Sequence, residues 1–373
     1  MKAVMRTTIL VLSLGAAACS DGGSSGDDGE NVKTIDREEV PDGRFKPQGL
    51  EDTIDALATG IEESGANEDL SFGVVLKELT NFWRPVVVGA NRALSELEVV
   101  GDVKGTTQES LTVEEEVAEQ MSFVEEQIDL GVDGLVIAPH NEDLLPLMEE
   151  FAESGAPMVT IDSDMPDSGR EIYIGTDNGQ AGITGGETML DVLDGATGRV
   201  LILGNTDPSW TGGFDRTNAA ADIIESAGNE VEILNSLWAA GEVEQIAEAI
   251  ADESSGLPLV GMIGMFSNAH ALGTAAVDAD LDEMPKIVAF DFEPDTLSHM
   301  EDGVISATHV QRQYYMGYMS VYVLYSIQAV GLKKTKETLG PYLINGFHLD
   351  TGLDVIRARD LDEYNSFVDD LGI

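Results

Sequence analysis

The chain has few basic residues, almost no cysteine and few aromatic residues. Twenty Lys and Arg stand against 69 Asp and Glu, a formal net charge of −49. That balance excludes a nucleic-acid partner, because a phosphate backbone is held by clustered cations. It also disfavours anionic membrane surfaces. Cys19 is the one cysteine in 373 residues, so no disulfide can close within one chain. Stability must come from packing. The five histidines, His140, His270, His299, His309 and His348, fall in no metal-ligand spacing. Asp162-Ser163-Asp164 with Asp167 is a faint calcium-loop pattern, but it lacks the Gly and distal Glu of an EF-hand. Neither a Gly-x-Ser-x-Gly elbow nor a Walker loop is present. No metal, cofactor or catalytic residue is expected.

What is present begins with an address. Lys2 and Arg6 precede a short apolar run over residues 7–14, followed by Gly15-Ala16-Ala17-Ala18, Cys19 and a polar tract starting at Ser20. The run is too short to span a bilayer as a resident helix. A charged start, a short apolar middle and small residues before a cut form an export signal. The lone Cys after the small residues resembles a bacterial lipobox, in which that Cys is lipid-modified and becomes the first residue. A plain cleaved signal with an incidental Cys is the other reading. Both put the working protein outside the cytoplasm, in the periplasm or cell envelope.

Residues 20–46 are rich in Gly, Asp, Ser and Glu and are expected to form a disordered acidic tether. Residues 47–70 carry apolar positions at helical spacing (Leu50, Ile54, Leu57, Ile61) and read as an accessory helix. From residue 71 onward, short apolar runs alternate with helix-like stretches over residues 114–130, 144–154 and 180–193. Runs such as Phe72-Gly73-Val74-Val75-Leu76 and Gly134-Leu135-Val136-Ile137-Ala138 suit parallel strands covered on both faces. Six such units and an amphipathic helix over 315–330 exceed one compact domain. The fold class is therefore α/β, with two doubly wound parallel-sheet lobes. The acidic residues are spread along the chain and read as a solvated surface.

In open α/β sheets ligands bind at the carboxyl ends of the strands. Those ends carry Asn81-Phe82-Trp83, Asp162, Asn268, Asp291 and Gln311, and a Gly-rich loop leads to Arg216. Carboxylates, carboxamides, a guanidinium and two aromatics suit a neutral polyhydroxylated ligand. Each sugar hydroxyl both donates and accepts, and charged partners strengthen the bonds. A flat aromatic ring can cover the C–H side of a sugar. Each polar residue taken alone can equally be a helix cap or turn former.

At these residues the chain resembles the type I periplasmic binding proteins, in the branch of the ribose-binding protein. Its marks are Leu79-Thr80-Asn81-Phe82-Trp83, Gly131-Val132-Asp133-Gly134-Leu135, Thr160-Ile161-Asp162-Ser163-Asp164, Ile174-Gly175-Thr176-Asp177-Asn178 and Ala289-Phe290-Asp291. The resemblance covers residues 71–356 and implies two lobes joined by a three-crossover hinge. The expected N-terminal lobe is 71–175 plus 312–338, the C-terminal lobe 176–311 plus 339–356, and 357–373 a helical tail. It implies that Asn81, Phe82, Trp83 and Asp162 line the first-lobe wall and that Arg216, Asn268 and Asp291 line the second. Gln311 would lie near the hinge, with Thr176 a weaker candidate in the first crossover. The family departs from this chain in having a Pro before its aromatic pair and, in the ribose receptor, an Arg where Ser163 stands.

The implied function is a monomeric extracytoplasmic receptor for a monosaccharide or related polyol, serving an ABC permease and anchored through lipid on Cys19. The alternatives are a sensory receptor for a sugar or sugar-like quorum signal and, behind it, a secreted carbohydrate-active enzyme, which would need a placed carboxylate pair.

Overall fold

The computed structural model describes residues 34–66, 69–107, 111–238 and 241–373; Cys19 and the expected export signal lie outside them. Strands β1 (Ser71–Glu78), β2 (Val100–Thr106), β3 (Gly134–Ile137), β4 (Met158–Ile161) and β5 (Ile172–Gly175) pair in parallel, in the order β5-β4-β3-β1-β2. A second sheet takes β6 (Arg199–Gly204), β7 (Glu230–Asn235), β8 (Leu259–Gly264), β9 (Lys286–Phe290) and β10 (Ile305–Gln311), in the order β10-β9-β8-β6-β7. The chain then returns. β11 (Leu343–Ile344) and β12 (His348–Asp350) join the first sheet, and β13 (Leu353–Arg357) pairs antiparallel with β10 in the second.

The apolar runs become strands because both of their faces are covered. In the first lobe Val74, Leu76, Val136, Val159 and Ile161 pack against helices Gln48–Ser64, Arg84–Glu96 and Gln313–Val330. Val75, Leu135, Ile137 and Met158 face the other way, onto helices Val113–Leu130 and Leu145–Glu153. The second sheet is sandwiched in the same manner. This is the doubly wound arrangement, made twice. None of the helices among the described residues is long and apolar enough to cross a membrane.

Three differences from the sequence reading have physical causes. Residues 343–350, expected with the second lobe, belong to the first sheet, where buried Leu349 pairs in register with Ile174. Residues 34–46, expected as tether, pack: Ile35 and Val40 enter the first-lobe core and Phe45 the second. Few apolar residues suffice there because Arg37 pairs with Glu51 and Asp55, and Arg44 with Asp360. The helix Gln313–Val330, expected to be amphipathic, is buried on nearly every side. It lies so close to Arg84–Glu96 that a Cβ on Gly317 would sit 2.1 Å from the Val86 carbonyl oxygen, and one on Gly89 2.1 Å from that of Tyr314.

The lobes are joined where β5 leads into helix Asn178–Leu193, β10 into helix Gln313–Val330, and β12 into β13. These crossings are tied together. Asp350 Oδ1 accepts from the amides of Asp177 (3.0 Å) and Gly352 (2.8 Å). Arg312 grips Asp354 with two nitrogens and donates to the Thr351 carbonyl.

Candidate functional site

Three candidate residues share one backbone feature. Asn81, Asp162 and Asp291 have φ of 49°, 58° and 64°, in the left-handed region. Asn and Asp tolerate that region better than other side-chain-bearing residues, and such strain concentrates at functional sites. Asp162 directly follows β4, and Asp291 directly follows β9.

On the second lobe Arg216 is the centre of a buried network. Its Nε and Nη2 donate to Asn178 Oδ1 at 2.9 and 2.6 Å, Nη1 donates to the Met265 carbonyl at 2.8 Å, and Nη2 to Gln311 Oε1 at 3.1 Å. Gln311 Nε2 in turn donates to Asp291 Oδ1 at 3.2 Å. The Arg216 guanidinium carbon stands 4.9 Å from the Phe290 ring centre and 5.7 Å from that of Phe266. Burial pushes the Asp291 carboxyl up to about 6, against the opposing pull of Arg216 and Gln311, and the Asp162 charge pushes it the same way. Burial lowers the Arg216 pKa, opposed by Asp291, Asp162 and Tyr173. Asp162 and Tyr173 belong to the first lobe, so the two walls interact across the gap.

On the first lobe Asp162 accepts from Ser163 Oγ at 3.1 Å and lies 3.7 Å from Lys77 Nζ. Lys77 also donates to Ser163 Oγ at 2.6 Å and sits 5.7 Å from the Trp83 ring centre. Tyr173 Oη donates to the Asp162 carbonyl at 2.8 Å. Asp164 is a loop anchor, clamped bidentately by Arg170. Asn81 is exposed, Phe82 half-buried and Trp83 buried in the first-lobe core; the two rings meet edge to face at 5.2 Å.

Asn268 lies on the second lobe. Its Nδ2 donates to Ser236 Oγ and to both oxygens of Glu242, at 2.7 and 2.8 Å. Its Oδ1 is buried without a partner, an acceptor that costs free energy until a donor arrives. Thr176 is spent on the hinge, donating to the Gly352 carbonyl at 3.4 Å.

Sequence reasoning missed Lys77, Tyr173, Asn178 and an aromatic cluster. Trp210 stacks on Phe266 at 4.6 Å, and Trp238 lies 5.5 Å from Phe266. Trp210 and Trp238 are exposed, and they follow β6 and β7. The signal was available, since these aromatics also follow strands. The edge strand β7, half-exposed and rich in Glu, hid the position of Trp238. Among the described residues no group of three or more His, Cys, Asp or Glu is placed to hold a metal ion.

Solved structures share this architecture. A sugar ABC transporter sugar-binding protein from Bacillus halodurans has 22% identity and a TM-score of 0.66, over 79% of this chain and 99% of the other. A solute-binding protein from Burkholderia graminis, in complex with D-arabinose, has 25% identity and a TM-score of 0.61, over 80% and 99%. A glucose-galactose binding protein from Geobacillus stearothermophilus has 25% identity and a TM-score of 0.64, over 79% and 99%. No curated protein matches the chain by sequence. Residues 72–333, most of the chain, match the periplasmic binding protein domain. With two parallel-sheet lobes and candidate ligand residues at the strand ends of both, the chain belongs to the periplasmic binding proteins, in their type I, ribose-binding-protein-like form.

Proposed function

We propose that this protein is an extracytoplasmic receptor for a monosaccharide or related polyol, which it delivers to an ABC importer by hinge closure. One observation carries the reading. The Asp162 charge of one lobe acts on Arg216 and Asp291 of the other across the interlobe gap, and Gln311 bonds both of those residues within the second lobe. Asn268 Oδ1 adds an unfilled acceptor on the second lobe. A polyol supplies both donors and acceptors to such a set, and the buried charges make the bonds strong and selective. The half-buried Phe82 and exposed Trp238 offer ring faces for its C–H surface.

A ligand that touches both walls favours the closed form by its differential affinity for it. The names of the similar proteins, which bind sugars, arabinose or glucose and galactose, support the ligand class. The export pattern and Cys19 support a lipid-anchored protein, and the net charge of −49 a solvated monomer. In this reading the ligand leaves unchanged; the site binds and does not turn over.

The test is a thermal-shift screen of the mature chain against aldoses, ketoses and polyols, followed by calorimetry and a turnover assay on the best ligand. A ligand bound only by the folded form raises the melting temperature. Micromolar affinity, roughly −8 kcal/mol, is expected. A panel in which nothing moves the melting temperature overturns the reading.

A further inference from the structure

Beside the hinge, between the lobes, lies a cavity of about 320 Å³. It shares Asn81, Phe82 and Gln311 with the polar site, but Asp162, Arg216 and Asp291 do not line it. Its remaining wall is largely aromatic and aliphatic, with Phe45, Phe292, Tyr364, Phe367, Leu371 and Ile373. Of its charged members, Arg312 and Asp354 neutralise each other through a two-nitrogen contact. Arg84 adds a cation, and Glu293 a carboxyl that burial and neighbouring carboxylates push up to about 7.

Much of this wall comes from outside the matched domain. Phe45 belongs to the segment 34–46, and Tyr364, Phe367, Leu371 and Ile373 to the chain's end, whereas the family match covers 72–333. The segment 34–46 and residues 364–373 build it jointly. Phe45 packs edge-on against Tyr364 at 5.0 Å, and Tyr364 edge-on against Phe292 at 4.7 Å. The volume falls in the range of small-molecule pockets. A free monosaccharide carries hydroxyls around its ring, and hydroxyls pushed into this wall would lose their partners. A hydrocarbon or aryl group asks no hydrogen-bond partner of the aromatic and aliphatic part of the wall and gains by leaving water.

We propose that the ligand is a glycoside, or another polyol bearing an apolar substituent, whose polyol end lies among Asp162, Arg216 and Asp291 and whose apolar end fills this cavity. The proposal rests on the sugar-receptor reading and adds to it the class of the substituent. Gln311 is the junction: its side chain is bonded to Asp291 and Arg216, and the same residue lines the cavity.

Calorimetry on matched pairs tests this, using the methyl and phenyl pyranosides of glucose, galactose, xylose and arabinose in both anomeric forms. For the sugar that binds, the phenyl glycoside is expected to bind at least tenfold more tightly than the methyl glycoside. Val368 also lines the cavity, on helix Leu361–Asp370; Val368→Trp, which fills the cavity from there, should bring the pair within about twofold and leave methyl glycoside affinity unchanged. Ile373→Ala, which trims the cavity wall without overpacking it, is a milder second variant and should cut the phenyl preference about threefold. Equal binding of methyl and phenyl glycosides by the wild type, or binding of free sugars alone, overturns the proposal and leaves the sugar-receptor reading intact. Failure of every sugar and glycoside to bind sinks that reading and this proposal together.

Discussion

Asp162 and Asp291 occupy equivalent places on opposite lobes. Each is the first residue after a strand, each has a left-handed backbone (φ 58° and 64°), and each donates its amide to a carbonyl on the neighbouring strand: Ile174 at 3.1 Å and His309 at 2.7 Å. The duplication of the lobes extends to the residues that face each other. Left-handed backbone costs a residue with a Cβ about 1 kcal/mol, and glycine nothing. Gly variants therefore remove the carboxylate without adding strain. Asp162→Gly and Asp291→Gly are expected to lose sugar affinity by well over tenfold by calorimetry while still folding. The Ala variants should lose as much affinity and in addition be about 1 kcal/mol less stable than the Gly variants in urea. Unchanged affinity in Asp291→Gly would remove this carboxylate from the site.

The raised pKa of Asp291, about 6 and due first to burial, sets a pH window. The ionised carboxylate accepts two or more hydroxyl donors; the protonated one gives up part of that capacity. Sugar affinity should therefore fall as pH drops from about 7 to 5. In the ligand-free protein the sign is opposite. The folded state holds this proton more tightly than the unfolded chain, so the contribution of Asp291 to stability is present at pH below its ordinary value near 4. It is lost as pH rises through about 6. Glu293 is a second group titrating near here, pushed to about 7 by burial and by the neighbouring Asp291, Glu78 and Asp295 charges. Asp291→Asn should flatten the affinity profile between pH 5 and 6.5, whereas Glu293→Gln should leave that part in place. A profile unaltered by Asp291→Asn would refute the assignment.

The interior strands and their polar ends were legible because a strand buried on both faces writes a continuous apolar run, as β3 and β4 do. Edge strands write no such run. β2 and β7 are largely or partly exposed, Val-Gly-Asp-Val-Lys-Gly-Thr and Glu-Val-Glu-Ile-Leu-Asn, and neither stood out. The packing of residues 34–46 was illegible for a different reason. Ile35, Val40 and Phe45 are isolated in polar sequence, and only their contacts with distant residues such as Tyr364 reveal their burial. The partners of Arg216 were likewise invisible, since Asn178 and Gln311 lie 38 and 95 residues away.

Helices Arg84–Glu96 and Gln313–Val330 touch through glycine at their crossing. A methyl group on Gly317 would meet the Val86 carbonyl oxygen at 2.1 Å and its carbon at 2.9 Å, both backbone atoms that cannot swing away. In an exposed helix Gly→Ala gains up to about 1 kcal/mol. Here overpacking outweighs that gain, and Gly317→Ala is expected to lose about 1–3 kcal/mol in urea unfolding. A stabilised Gly317→Ala would mean that the helices can separate freely.

The segment 34–46 ties the lobes together outside the three crossovers. Val40 is buried in the first-lobe core and Phe45 in the second, with five residue steps between them. A fully extended chain covers ~3.6 Å per step, so the two anchor points stay within about 18 Å of each other however the hinge moves. Opening is thus limited on the side of the segment, and both anchors must hold for the limit to act. Phe45→Ala removes the ring that packs on Tyr364 and Phe367. It should cost about 3 kcal/mol of stability, as buried aromatic truncations do. It should also increase the radius of gyration of the ligand-free protein in small-angle scattering, because the segment then holds the second lobe only through the Arg44–Asp360 pair. The saturated protein should scatter like the wild type, since ligand contacts close the cleft in either case. If Phe45→Ala destabilises the protein but leaves ligand-free scattering unchanged, the segment is packing alone and places no limit on opening.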